Sequence, residues 1–227
     1  IKKAGDVIPE VVHVLKERRT GDEIDFIMTK NCPICGHELI RKESEAAYYC
    51  TNKNCDAKHI EGLIHYASRD AMNLEGFGDS ITEDFYNMGF LKRVYDYYTL
   101  DKHKEELMSL EGFGEKSIIK LLASIEKSKE NDLFKLIFAL GIHHIGLKAA
   151  KLLANHFGDM DSLLNASKED ILEIEGMGEI SADTILKSLS LPETKAMIDE
   201  LKALGLNMKN LTEIEDKRFQ GMTFVLT

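Results

Sequence analysis

Leu74-Glu75-Gly76-Phe77-Gly78 recurs as Leu110-Glu111-Gly112-Phe113-Gly114 and again as Ile174-Glu175-Gly176-Met177-Gly178, with a degenerate copy, His143-His144-Ile145-Gly146, between the last two. The closing glycines stand at 78, 114, 146 and 178, spaced by 36, 32 and 32 residues. A period of this size marks a repeated supersecondary unit, here present in four copies. Apolar residues follow each turn at helical spacing: Ile118, Ile119, Leu121, Leu122 and Ile125 after Gly114, and Ala149, Ala150, Leu152 and Leu153 after Gly146. The pattern predicts one helix running into each glycine turn and a second running out of it. The residue between the small ones (Phe77, Phe113, Ile145, Met177) is apolar every time and is expected to plug the core between its two helices.

The glycines have a chemical consequence. Without a Cβ they permit a left-handed backbone and let another backbone come close. Amides at the start of the outgoing helix then face outward with the positive end of its dipole, an anion site suited to a phosphate. One Gly-x-Gly is explained equally well as a helical corner; four in register, each with an apolar plug, point to phosphate binding.

All four cysteines, Cys32, Cys35, Cys50 and Cys55, fall within 24 residues. Two close pairs suit one tetrahedral ion held by two turns better than a disulfide framework, which would spread over the domain. The expected ion is zinc. Four thiolates close its coordination and leave no position for water, so the site is structural and not catalytic. Pro33 restricts the backbone between the first two ligands, and Gly36 can take the positive φ that turns the following amides back toward sulfur. The alternatives are two adventitious disulfides, or displacement of a cysteine by His37 or His59. A structural zinc contributes on the order of 10–16 kcal/mol of apparent binding free energy, so residues 29–60 are expected to fold only with metal.

The chain has 227 residues, 44% of them apolar, and a formal net charge of −10. That composition excludes a disordered chain, and the charge argues against a simple basic nucleic-acid binder. No apolar run approaches the ~18 residues of a membrane-spanning helix, and a soluble protein is expected. Ile1 and the apolar run Phe224-Val225-Leu226 before Thr227 read as the ends of an excerpt from a longer protein. Divided by region, basic and acidic residues number five and six over 1–28, five and four over 29–60, seventeen and twenty-six over 61–210, and two and three over 211–227. The helical repeats are thus the most acidic part, and affinity for an anion has to come from local placement.

On these residues the chain resembles a known family. The repeat is similar to the helix-hairpin-helix motif, which grips the DNA backbone across the minor groove without reading sequence. Four copies after a four-cysteine module resemble the C-terminal half of the bacterial NAD-dependent DNA ligases. Gly5-Asp6-Val7-Ile8-Pro9-Glu10-Val11-Val12, closed by Thr20-Gly21-Asp22, resembles the last strands of the ligase OB domain, and Phe219 to Thr227 the first strand of its BRCT domain. The resemblance implies a mainly α fold, a tandem helix-hairpin-helix array with a small four-cysteine zinc finger and short β segments at both ends. It divides the chain into an OB remnant (1–28), the zinc finger (29–60), the helix-hairpin-helix domain (61–210), and a linker with the first BRCT strand (211–227). It implies an enzyme that seals nicks between 3′-hydroxyl and 5′-phosphate in replication and repair, using NAD and magnesium. It also implies a nicked-duplex partner, no membrane, a monomer, and a cytoplasmic, nucleoid-associated location. The family's nucleophile lies in a Lys-x-Asp-Gly string that is absent between Ile1 and Thr227. No catalytic residue is therefore expected here, and the chain alone is expected to be inactive. A non-enzymatic helix-hairpin-helix scaffold or repair factor is the second reading, and a zinc-bearing tail of a topoisomerase-like or RNA-binding protein the third.

The DNA-contacting residues expected are Gly76, Gly78, Gly112, Gly114, Ile145, Gly146, Gly176 and Gly178, with Lys116, Lys120, Lys148 and Lys151 within two turns of a helix start, and Arg69 before the first hairpin. Arg41, Lys42, Lys53 and Lys58 are further basic candidates near the zinc turns. Asp79, Glu83 and Asp84, and Glu179 and Asp183, follow the first and fourth copies, so the second and third are expected to hold phosphate more strongly. Two departures stand out: Asp70 lies where family members often carry a second basic residue, and His144 replaces a glycine, so the third hairpin is not assumed to bring its backbone as close to DNA. His143 and His144 read as polar surface residues, with DNA contact as the second reading. Tyr95, Tyr97 and Tyr98 read as partial core, with base stacking as the alternative.

Overall fold

A computed structural model describes residues 1–4, 8–41 and 46–211. Two compact units emerge, Ile1–Asn52 and Lys53–Thr227. In the first, β1 (Lys2–Ala4) pairs antiparallel with β2 (Ile8–Glu10), and β3 (Leu39–Arg41) with β4 (Tyr48–Cys50), Ile40 facing Tyr49. The ligand turns therefore belong to a short hairpin, which the cysteine spacing did not reveal. Ile8, Val11, Val12, Ile24, Phe26 and Ile27 are exposed, and among the described residues of this unit Cys32 alone is buried. Three-residue strands without an apolar core supply little stability of their own.

The second unit is helical: α1 (Asp56–Ala67), α2 (Asp79–Met88), a 3-10 segment Val94–His103, then α3 (Lys104–Met108), α4 (Glu115–Ser128), α5 (Leu133–Ala139), α6 (Leu147–Phe157), α7 (Met160–Leu164), α8 (Lys168–Leu172), α9 (Glu179–Ser190) and α10 (Pro192–Ala203). The mainly α class is as expected. One apolar cluster runs through the unit from Leu63 to Leu206. On α4 the buried apolar positions are Ile118, Leu121 and Ile125, spaced by three and four, whereas Ile119 is exposed, so the core-facing stripe is narrower than the run of apolar letters. Tyr97 and Tyr98 are buried, Tyr66 stacks on Tyr97 with centroids 6.1 Å apart, and the Tyr66 and Tyr98 hydroxyls meet at 3.0 Å. The tyrosines are core, with Tyr95 partly buried against it.

The helices entering the turns are less uniform than the period suggests. Those before the second and fourth turns, α3 and α8, have five residues each, below the length at which a helix holds without tertiary support. Before the first turn α1 ends at Ala67, and residues 68–74 form a loop in which Asn73 takes φ +51° and Asn131 donates to the Met72 carbonyl at 2.7 Å. A strap at residues 207–210 bonds back to Lys129, Leu133 and Met160. Gly5-Asp6-Val7, Lys42 and the strand expected at 219–227 lie outside the described residues.

Candidate nucleic-acid interface and metal centre

The four glycine turns share one geometry. In each, the amide of the plug donates to the carbonyl three residues earlier: Phe77 to Leu74 at 3.1 Å, Phe113 to Leu110 at 3.1 Å, Ile145 to Ile142 at 3.0 Å and Met177 to Ile174 at 2.9 Å. The third residue of each turn has positive φ, +97° at Gly76, +86° at Gly112, +65° at His144 and +92° at Gly176, the conformation that a type II turn demands there. The degenerate third copy thus follows the same path as the others, because a local polar side chain such as histidine tolerates the left-handed region better than most. Phe77, Ile145 and Met177 are buried as plugs; Phe113 is only partly buried, its ring 5.2 Å from that of Phe85.

After each plug, Gly78, Gly114, Gly146 and Gly178 take extended backbone, with ψ between 163° and 178°, and open α2, α4, α6 and α9. No side chain caps any of these four helices, whereas Asp132, Asp159 and Ser167 cap α5, α7 and α8. First-turn amides of the outgoing helices are therefore left for an external acceptor, and an oxyanion is the group that both the amides and the dipole favour. A Cβ placed at Gly78, Gly112, Gly114, Gly146, Gly176 or Gly178 would meet nothing within 4 Å, so these backbones are open to a close approach. Gly76 differs: a Cβ there would lie 2.6 Å from Leu121 Cδ2. Its glycine answers to packing on α4 as well as to the turn.

Lys116, Lys120, Lys148, Lys151 and Arg69 are all exposed. Lys120 lines a cavity of about 620 Å³ with Glu75, Gly76 and Lys127, between the first turn and α4. Lys151 stands 5.0 Å from the Phe134 ring, and both Lys151 and Arg69 act electrostatically on Lys135. Lys135 is a basic residue that sequence reading missed. Its ammonium donates to the carbonyls of Arg69 and Ala71, burial lowers its pKa, and the Asp70 carboxylate opposes that shift. Asp70, which read as a loss of positive charge, is thus balanced by a lysine from a distant helix. At the fourth hairpin Lys168 bridges Glu179 at 3.0 Å and Asp183 at 2.8 Å, so the acidity counted from sequence is offset by the entering helix. Ile180, two residues after Gly178, is 73% exposed where the second and third copies place Lys116 and Lys148.

The sulfurs of Cys32, Cys35, Cys50 and Cys55 lie within 4.8 Å of one another and none of the four is joined in a disulfide, as a shared ion requires. A zinc–thiolate bond of about 2.3 Å puts tetrahedral sulfurs ~3.8 Å apart, and Cys35 and Cys50 are at 3.5 Å. The set fits a tetrahedral metal. Gly36 has φ +71°, and the His37 amide donates to the Cys35 sulfur; with the Asn52 side chain it brings this thiol down to about 6, favouring the thiolate a cation needs. Cys55 immediately precedes α1. His59 is not a ligand: its Nε2 meets the Lys53 carbonyl at 2.9 Å and its Nδ1 the Tyr86 hydroxyl at 3.2 Å.

Fold and site define a class, a four-cysteine metal module joined to helix-hairpin-helix DNA-binding repeats. Residues 31–57 match the NAD-dependent DNA ligase C4 zinc finger domain, and residues 135–198 the helix-hairpin-helix motif. The chain is 47% identical to the DNA ligase of Acetivibrio thermocellus over 229 residues, 44% to that of Brevibacillus brevis over 231, and 48% to that of Listeria innocua over 234. Each alignment takes in 100% of this chain and 34% of the relative. The chain therefore spans about a third of the length of the curated relatives it matches, and over that span it is similar to bacterial DNA ligases. Among the described residues, no helix is long and apolar enough to cross a membrane.

Proposed function

We propose that this chain is the duplex-holding part of an NAD-dependent ligase that seals nicks in bacterial DNA, working as a monomer on chromosomal DNA in the cytoplasm. The observation that carries the reading is the recurrence of one turn, open at its closing glycine and uncapped at its outgoing helix, four times in a single chain. Each turn would seat one backbone phosphate, with Gly76, Gly78, Gly112, Gly114, Ile145, Gly146, Gly176 and Gly178 at the contact and Lys116, Lys120, Lys148, Lys151 and Arg69 beside it. Phosphates repeat along any duplex, so such contacts position DNA without reading its sequence. Residues 1–28, 29–60, 61–210 and 211–227 would correspond to the OB remnant, zinc finger, hairpin domain and BRCT start. Zinc on the four cysteines would act structurally. NAD and magnesium would serve the nucleotidyltransferase part of the whole enzyme, which this portion assists through orientation of the nick.

The test has two arms. Incubated with NAD, magnesium and nicked duplex, the chain is expected to give neither adenylylated protein nor sealed strand; either product would refute the division of labour. A fluorescently labelled nicked duplex should be bound with a salt dependence that flattens in the Lys116→Ala, Lys148→Ala double variant. Two lost phosphate contacts reduce the slope of log K against log salt by about 1.8. An unchanged slope would reject the assignment of these lysines.

A further inference from the structure

The third hairpin carries His144 at φ +65° where the other three carry glycine at the same step of the same turn. His143 precedes it, and the two imidazole centroids are 3.9 Å apart, the rings inclined at 49°. Both side chains are exposed, and among the described residues each finds a contact only in the other. They border a cavity of about 510 Å³, whose remaining lining is His65, Gly141, Ile142, Ile145 and Gly146. No carboxylate lines it. His65, from α1, is already committed, its Nε2 donating to the Phe138 carbonyl at 2.9 Å. The basic groups flanking the turn are Lys148 and Lys151 on α6, and Lys135 on α5 acts on Lys151. Two imidazoles thus stand together at a cavity that no carboxylate lines, and an anion bound there would favour their charged form.

We propose that His143 and His144 form a proton-linked phosphate contact. When the third hairpin seats a DNA phosphate at the start of α6, the pair shifts toward its charged form, taking up a fraction of a proton from solvent, and meets the phosphate as a cation. The inference rests on the reading of the hairpins as DNA clamps. Its sign follows from linkage: the added affinity is present at low pH and is lost as pH rises through the titration range of the bound pair. An ordinary imidazole titrates near ~6.5, and an adjacent anion raises that by about one unit. Those general values make binding roughly sixfold tighter at pH 6.0 than at pH 8.0.

The experiment measures nicked-duplex affinity at both pH values and fixed ionic strength, for the zinc-loaded wild-type chain and for the His143→Gln, His144→Gly double variant. Glycine at 144 is the residue of the other three turns, so the backbone is preserved, and far-UV circular dichroism confirms folding. The wild type should show the sixfold ratio and, at pH 6.0, a salt slope steeper by up to about 0.9, that of one phosphate contact. The variant should lose both and keep the wild-type affinity at pH 8.0 within about twofold. Equal pH ratios in the two proteins would overturn this inference alone. Absence of salt-dependent binding by the wild type at either pH would instead overturn the clamp reading on which it rests.

Discussion

Replacing Gly76 by alanine separates the two demands made on that residue. Its φ of +97° disfavours any L side chain, at about 1–2 kcal/mol. The new methyl would also lie 2.6 Å from Leu121 Cδ2. Leu121 is 4% exposed, shares the buried face of α4 with Ile118 and Ile125 and also lines the cavity beside Gly76, so its terminal methyl would have to shift within that packing. Overpacking of this kind adds about 1–3 kcal/mol, and reduced freedom of the unfolded chain returns about 0.4–1 kcal/mol. Gly76→Ala should therefore cost about 2–4 kcal/mol. Gly112 and Gly176 have φ of +86° and +92° but no atom within 4 Å of a Cβ, so alanine there should cost only about 0.5–1.5 kcal/mol. The assay is urea unfolding of each zinc-loaded variant, followed by circular dichroism at 222 nm. Equal losses in all three would refute the Leu121 contact, and no loss in any would refute the left-handed turn itself.

Three other outcomes are expected. The chain should hold one zinc, measured by elemental analysis after desalting, and Cys50→Ser or a strong chelator should release it and open residues 29–60 to protease; a metal-free chain protected there would contradict the four-thiolate site. Ser167→Ala should destabilise the second unit by about 1 kcal/mol through loss of the α8 cap. Because the Ser167 hydroxyl and amide hold the Asp170 carboxyl below its usual range, the cap's contribution is complete at neutral pH and lost as pH falls through the acidic carboxylate range, so the variant should have a shallower acid limb in its stability profile. Lys168→Met should weaken nicked-duplex binding while barely changing the unfolding midpoint, since it uncovers Glu179 and Asp183 at the fourth hairpin but removes only exposed ion pairs; a large fall in stability with unchanged binding would count against it.

Much of the site could be read from the chain because its signals are short-range. Gly112-Phe113-Gly114 specifies a turn, a plug and a helix start within three residues, and Cys32 and Cys35 specify a ligand turn through Pro33 and Gly36. The lengths of α3 and α8 could not be read, since whether an apolar run stays helical up to the turn depends on what packs over it. The exposure of Ile119 was hidden for the same reason: periodicity marks a face but not its width.

Sequence alone determined the four turns, the four-thiolate set and the absence of a Lys-x-Asp-Gly nucleophile, because these depend on residue type at fixed local spacing. Tertiary structure decided the rest. It brought Lys135 to Arg69, Asp70 and Lys151, set Leu121 against Gly76, and folded Lys168 over two acids that a regional count had left bare. Each of these joins positions whose separation along the chain carries no periodic signal, so only the packing of whole helices against one another could settle where charge and strain would lie.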